Sequence, residues 1–153
     1  MKGFGSKNHF KEHNKNSNSF ESDRLINDAL ILHSKGKISE AKRSYQDLIK
    51  NGISDPRVFT NLGVIFQSEN DYERAVKFYK KSMILFPKSH EAYSNLSRIL
   101  LETGQYDLAE NYLVKVIKLK PDFLKAYQNL FNVYCRNNNR KKAENVLYEC
   151  LKI

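Results

Sequence analysis

The chain has 153 residues, of which 41% are hydrophobic and 28% charged, and a formal net charge of +9 at pH 7. The apolar share suffices for a folded core, and the absence of any run of about 18 apolar residues predicts that no helix spans a membrane. Only two cysteines, Cys135 and Cys150, are present. Because two cysteines are too few for a disulfide scaffold, the sequence predicts a reduced, cytoplasmic protein.

The N-terminal residues 1–21 differ in composition from the rest of the chain. They are rich in Asn, Ser, Lys and Gly and contain isolated phenylalanines. Such a segment cannot bury enough apolar area to offset its loss of conformational entropy, so we predict a disordered polar and basic tail. Regular structure is expected from near Asp23, within a domain that covers residues 22–153.

Beyond the tail, the sequence repeats with a period of about 34 residues, an interval typical of stacked helix pairs. One register holds alanine in every unit: Ala41, Ala75, Ala109 and Ala143. The period divides the domain into units of about 22–55, 56–89, 90–123 and 124–153. Apolar residues recur twice per unit at helical spacing, which predicts helices near 24–35, 38–51, 57–69, 72–85, 90–103, 106–119, 124–137 and 140–152.

Glycine or asparagine stands between the two predicted helices of each unit, at Gly36, Asn70, Gly104 and Asn138. Both residue types tolerate the left-handed conformation that ends a helix, so each is expected to terminate the first helix of its unit. The alanine register predicts four close helix crossings, where a larger side chain would cost roughly 1–3 kcal/mol.

These positions together resemble the tetratricopeptide repeat signature. The resemblance rests on Leu62-Gly63, Phe66, Tyr72, Ala75, Tyr79 and Pro87, and on Tyr93, Leu96, Leu100, Gly104, Tyr106, Ala109, Leu113 and Pro121. It implies an all-α, right-handed α-solenoid of four helix–turn–helix repeats, similar to bacterial arrays attached to O-linked N-acetylglucosamine transferase-like and other transferases. The first unit departs from the pattern with Asp28 in place of leucine, and the fourth with Phe131 in a small-residue position.

In this family the first helix of each unit lines a concave groove, which places an asparagine of every unit in that groove: Asn27, Asn61, Asn95 and Asn129. They resemble the asparagine ladder of O-linked N-acetylglucosamine transferases, whose amides donate to and accept from a peptide backbone. The alternative is that these amides hydrogen-bond between adjacent helices. The other predicted groove residues are Thr60, Gln67, Ser94, Arg98, Gln128 and Asn132.

The basic residues are concentrated towards the C-terminus. Residues 115–153 hold nine basic and three acidic side chains. A positive surface of this kind attracts nucleic acid or another anionic surface. The competing interpretation, which we favour, is that most of these lysines lie on the solvated convex face, so nucleic-acid binding is the weaker hypothesis.

No catalytic constellation is present: the chain has no phosphate loop, no GxSxG sequence and no zinc motif. We therefore expect a non-enzymatic interaction scaffold without cofactor or metal, which binds an extended peptide or partner protein in its groove. One alternative is a recruiting or regulatory unit that works with a glycosyl- or methyltransferase. Another is binding of nucleic acid or an anionic surface through the basic C-terminal repeat. A homodimer through that repeat, where Leu147 and Ile153 are expected to be partly exposed, is a further hypothesis.

Overall fold

The computed structural model describes the backbone of residues 9–153 and the side chains of residues 20–153. Within this range the chain is all-α and forms no strand. Its eight helices are α1 (His9–Ser34), α2 (Ile38–Lys50), α3 (Pro56–Ser68), α4 (Tyr72–Leu85), α5 (His90–Glu102), α6 (Tyr106–Leu119), α7 (Leu124–Arg136) and α8 (Arg140–Cys150). In the part of the chain that the structure describes, no helix has both the length and the apolar character needed to cross a membrane.

The bounds of seven helices agree with the sequence prediction to within one or two residues, but the first helix differs. It begins at His9, so the predicted start near residue 24 is wrong. Our composition argument considered burial alone, whereas residues 9–34 contain neither glycine nor proline that would stop a helix. Residues 1–8 of the predicted tail lie outside the described residues, and the boundary between tail and repeat domain stays a prediction.

The turns inside the four repeats have the predicted left-handed backbone. The φ angles are 74° at Gly36, 60° at Asn70, 75° at Gly104 and 53° at Asn138. After each of these residues the next backbone N–H donates to a carbonyl in the last turn of the helix, as Gln105 does to Leu100 at 2.8 Å. This pairing satisfies a carbonyl that the helix end would leave open, so each first helix stops at the same phase of the repeat.

The chain forms two compact units, Met1–Val58 and Phe59–Ile153. In the first, α1 packs on α2, and Ala41 and Tyr45 are fully buried. Arg57 donates to Asp23 at 2.6 Å and to Asp55 at 2.8 Å, which connects the residues at the start of α3 to α1. Burial raises the pKa of Asp55, but hydrogen bonds from Arg57 outweigh burial, so this pKa lies below its usual value.

The second unit begins within α3, at Phe59. From there to α8, each helix packs against the next one. Helix α4 contacts α5, α5 contacts α6, and α7 contacts α5, α6 and α8. The rings of Phe66 on α3 and Phe78 on α4 stack with centroids 5.4 Å apart. The alanines of this unit, Ala75, Ala109 and Ala143, are buried, as their position at close helix crossings requires.

Small and large residues are paired where the two helices of a repeat meet. A Cβ atom added to Gly63 would stand 2.6 Å from Cδ1 of the Tyr79 ring, closer than carbon atoms can approach. The same two positions hold Ser97 and Leu113 in the next repeat, where a smaller partner leaves room for a larger neighbour. In the first repeat the same two positions hold Ala29 and Tyr45, both fully buried, so the combined volume differs between repeats and the close approach at Gly63 belongs to the second repeat.

We predict that Gly63→Ala destabilises the protein by about 1–3 kcal/mol, because its methyl group forces the Tyr79 ring out of a packed position. The measurement is urea unfolding followed by circular dichroism. The control is the double variant Gly63→Ala/Tyr79→Leu, whose loss of stability should be smaller than the sum of the losses of the two single variants. Strictly additive costs would contradict the proposed contact.

Candidate functional site

All ten side chains that were predicted to face a groove lie on the first helix of their repeat. They are Asn27 on α1, Thr60, Asn61 and Gln67 on α3, Ser94, Asn95 and Arg98 on α5, and Gln128, Asn129 and Asn132 on α7. Helices α5 and α7 contact each other directly, so residues at the same phase on these two helices share one surface. We call this surface, formed by Asn95, Arg98, Gln128, Asn129 and Asn132, the α5–α7 face. Asn27 belongs to the first unit, where its side chain is exposed.

The asparagine amides of the α5–α7 face have unused hydrogen-bonding capacity. Asn95 is half-buried and Asn129 is 6% exposed, yet neither side chain hydrogen-bonds to another group within residues 20–153. Asn61 on α3 is half-buried and already has an interaction partner. Asn95 and Asn129 therefore form no interhelical hydrogen bond within residues 20–153, and their assignment to a peptide site stays a prediction.

Gln67 is the centre of a hydrogen-bond network that connects two repeats of the second unit. Its Oε1 atom accepts from the Tyr79 hydroxyl at 2.9 Å and from Nη2 of Arg98, also at 2.9 Å. The first bond joins α3 to α4, and the second reaches the following repeat on α5. This bond fixes the position of the Arg98 guanidinium relative to α3.

The same network leaves one polar atom unsatisfied. The Nε2 atom of Gln67 is buried and has no hydrogen-bond partner in the described part of the chain. The amide cannot be reversed, because the guanidinium of Arg98 has only donors and needs the amide oxygen as its acceptor. An unpaired buried donor costs about 1–3 kcal/mol. The position of Arg98 is thus maintained at the expense of an unsatisfied amide nitrogen.

Four of the predicted groove residues are largely enclosed: Gln67, Asn129, Thr60 and Ser94. Thr60 and Ser94 are buried, and Thr60 Oγ1 lies 3.1 Å from the hydroxyl of Ser82, with which it shares a hydrogen bond. Gln128 and Asn132, in contrast, are exposed, and Lys125 lies 3.4 Å from the Gln128 carbonyl oxygen. The assignment of these residues to a peptide site stays a prediction. Gln128 and Asn132, which are exposed, have the better access to a ligand.

Tyr79, which the sequence analysis used only as a position of the repeat signature, hydrogen-bonds to the predicted groove residue Gln67. A buried tyrosine needs a hydrogen-bond partner for its hydroxyl. Tyrosine instead of leucine at this position was therefore the sequence signal that could have identified Tyr79. Burial raises the pKa of Tyr79 above its ordinary range, with the nearby Glu102 carboxylate adding to the effect. The phenol therefore stays protonated and donates to Gln67 throughout the physiological range.

The basic C-terminal residues are extensively paired. Lys142 lies 2.8 Å from Glu110, Arg140 lies 2.8 Å from Glu144, and Lys152 lies 2.6 Å from Glu149. Further lysines lie over aromatic rings, where they keep their charge: Lys115 over Tyr93 and Lys120 over Phe123. The three cations paired with carboxylates contribute less to the attraction of a polyanion. This geometry gives no support to a nucleic-acid site.

The sequence model of a family described as tetratricopeptide repeat matches residues 67–117 and 100–149. Together the two matches cover more than half of the 153 residues. The chain therefore belongs to the tetratricopeptide repeat family, as its period, left-handed turns and small–large contacts require. A search among curated proteins gave no significant match.

Solved structures of tetratricopeptide proteins share the fold. MamA residues 41–end from Desulfovibrio magneticus RS-1 superposes with a TM-score of 0.73 at 24% identity, over 86% of this chain and 74% of that one. YrrB, described as a TPR protein with an unusual peptide-binding site, gives 0.70 at 20% identity, over 86% and 68%. TTC0263 from Thermus thermophilus gives 0.71 at 18% identity, over 86% and 73%. At these identities the likeness defines the fold alone.

We predict opposite effects for the same substitution at two equivalent tyrosines. Tyr79→Phe removes a donor from Gln67 and should destabilise the protein by about 0.5–1.5 kcal/mol. Tyr45, at the same position of the preceding repeat, has a buried hydroxyl without a partner in residues 20–153. Tyr45→Phe should therefore be neutral or stabilising. Thermal unfolding of both variants tests the pair, and a larger loss in Tyr45→Phe than in Tyr79→Phe would contradict it.

We also predict that the free energy of unfolding decreases above pH 10. Burial raises the pKa of Tyr45 from its ordinary value of 10.0 to about 12. Burial, together with the hydrogen bond to Glu110, raises that of Tyr134 to about 12. The unfolded chain releases these protons at a lower pH than the folded chain does. The stabilisation that the two tyrosines contribute is therefore fully present below pH 10 and is lost as the pH rises towards 12. Denaturant titrations across this range provide the measurement, and Tyr45→Phe should flatten the decrease.

Proposed function

We propose that this protein is a non-catalytic interaction module that binds an extended segment of a partner protein along the α5–α7 face. The observation that carries the proposal concerns the amides of Asn95, which is half-buried, and Asn129, which is 6% exposed, on two helices in contact: neither has a hydrogen-bond partner within residues 20–153. A carboxamide donates and accepts together, which is what a peptide group in an extended chain requires. Backbone pairing of this kind depends little on the side chains of the ligand.

The spacing of the two amides suits an extended ligand. Packed helices lie about 8–10 Å apart, and an extended chain advances about 3.3 Å per residue. Asn95 and Asn129 would therefore contact peptide groups about three residues apart. An extended segment crossing α5 and α7 offers polar backbone groups at this interval, whereas a helical ligand has already used its backbone groups internally.

Arg98 adds a preference for acidic residues. Its Nη2 atom is held by Gln67, and Nη1 lies 3.6 Å from Glu102; the side chain is 41% exposed, and a guanidinium has five N–H donors, more than these two contacts use. A guanidinium forms paired hydrogen bonds with a carboxylate. We therefore propose that the bound segment carries an Asp or Glu side chain near Arg98. The description of YrrB as having a peptide-binding site supports a peptide as ligand within this fold.

The setting that we propose is the reducing cytoplasm. Cys135 and Cys150 are both free thiols, and Cys135 is exposed. An exposed free thiol persists where the surrounding redox buffer keeps cysteines reduced.

The test begins with an array of short unstructured peptides, from which the tightest binder is selected and its affinity measured by fluorescence anisotropy. Asn95→Ala and Asn129→Ala should each weaken binding about three- to tenfold, because each removes one hydrogen-bonding pair from the interface. Asn111→Ala is the matched control, since Asn111 is an exposed asparagine on the second helix of the same repeat. Circular dichroism should remain helical for all three variants.

Binding that survives the double change Asn95→Ala/Asn129→Ala at full strength would refute the proposal. A loss of equal size in Asn111→Ala would refute it as well, because the ligand would then contact the second helices. The acidic preference is tested separately: Arg98→Gln should reduce discrimination between peptides with Glu and with Gln at the same position.

A further inference from the structure

The second helices of the two middle repeats carry a surface that is both basic and apolar. Residues 76–90, which form most of α4 and the turn after it, contain four lysines and no acidic residue. Residues 111–121, in α6 and the turn after it, contain three lysines and again no acidic residue. We call this surface the α4–α6 edge and define it by six exposed residues: Lys77, Lys80, Lys81, Ile84, Lys115 and Lys118.

The lysines of α4 and of α6 belong to one surface. Both helices pack against α5, and side chains of both line one groove between them. Lysines one period apart also occupy equivalent places. Nζ of Lys81 lies 5.0 Å from the centre of the Phe59 ring, and Nζ of Lys115 lies 4.3 Å from the centre of the Tyr93 ring.

The positive charge of the α4–α6 edge is not compensated. Its lysines have no carboxylate partner within residues 20–153. Lys142 of α8, in contrast, is paired with Glu110 at 2.8 Å. Unpaired cations on one surface produce a positive potential that attracts anions. The complementary partner of this edge is therefore anionic.

An apolar side chain stands among these cations. The position of Ile84 holds lysine in the three other repeats, as Lys50, Lys118 and Lys152. Ile84 is 78% exposed, and the adjacent Leu85 is 45% exposed. Aliphatic side chains gain free energy only when a partner removes them from water. A bilayer with anionic headgroups offers a negative surface and hydrocarbon beneath it, so it matches the lysines and the isoleucine together.

The composition of the edge argues against a nucleic acid as its partner. The edge contains no arginine, the residue that binds phosphate through paired hydrogen bonds. The aromatic rings within residues 76–90, Phe78, Tyr79 and Phe86, are buried or half-buried, so none is open to stack on a base. An acidic protein would need a pocket matched to Ile84, whereas a bilayer accepts a protruding side chain without one.

We propose that the α4–α6 edge docks this protein on an anionic lipid bilayer. The lysines lie at the headgroups, and Ile84 and Leu85 enter the boundary with the acyl chains. This binding is peripheral and reversible, because a few lysines and two aliphatic side chains supply far less than a spanning helix. The residues of the α5–α7 face are not involved, so the inference does not depend on the peptide site.

The experiment is co-sedimentation of the full chain with vesicles of phosphatidylcholine that contain about 30% phosphatidylserine, compared with phosphatidylcholine alone. The mixed vesicles should bind at least about tenfold more tightly, and added salt should weaken this binding. Lys77→Gln/Lys80→Gln should reduce the affinity at least about tenfold. Lys35→Gln/Lys141→Gln is the matched control: it removes the same charge from exposed positions, in the turn before α2 and at the start of α8, and should leave binding nearly unchanged.

The insertion of Ile84 can be measured separately, because the chain contains no tryptophan. In Ile84→Trp the emission of the single indole should shift to shorter wavelength with the mixed vesicles, and brominated acyl chains should quench it. Ile31→Trp, at an exposed isoleucine of α1, is the control and should show neither effect. Both side chains are exposed, so neither change disturbs the core.

Three outcomes would overturn the proposal. The first is that the mixed vesicles do not bind, or bind no better than phosphatidylcholine alone. The second is vesicle-bound Ile84→Trp whose emission stays that of the free chain. The third is single-stranded RNA that binds more tightly than the mixed vesicles and is lost in Lys77→Gln/Lys80→Gln, which would assign the edge to nucleic acid.

Discussion

The two helices of each repeat cross closely, and the residue at the crossing has little room for a larger side chain. Alanine is buried at the crossing in all four repeats. Beside it, Gly63 leaves only enough room for the Tyr79 ring, because a single added carbon would overlap that ring. The rest of the structure depends on this constraint: a short distance between paired helices fixes their relative position, and the left-handed turn at the same phase of each repeat fixes where the next helix begins.

Regular stacking has a consequence for recognition. When helices repeat with one geometry, side chains one period apart come to equivalent places, so Asn95 and Asn129 share the α5–α7 face although they are distant in sequence. The Tyr79 ring, placed by Gly63, in turn brings its hydroxyl to Gln67, and Gln67 holds Arg98. A packing requirement in the core thereby positions a polar side chain on the surface where we propose that a ligand binds.

Periodicity and turn chemistry predicted seven of the helices closely, because both are local properties of the sequence. The start of α1 was not predictable in this way, since a helix without glycine or proline can extend beyond the part that packs. The Gln67 network was missed for another reason: it depends on side-chain conformations across two repeats. The repeat period alone likewise predicted both Thr60 and Asn95 as groove residues. Only the structure shows that the Thr60 hydroxyl is enclosed and bonded to Ser82, whereas Asn95 is half-buried.

The central claim is that the amides of Asn95 and Asn129 bind the backbone of one extended ligand. The most direct measurement is NMR of the ¹⁵N-labelled full chain during titration with the peptide selected from the array, observing the side-chain NH₂ resonances of asparagine. The account predicts that the resonances of Asn95 and Asn129 shift together, along one binding curve, while that of Asn111 does not move. A bound complex in which the first two resonances stay at their free positions would contradict it.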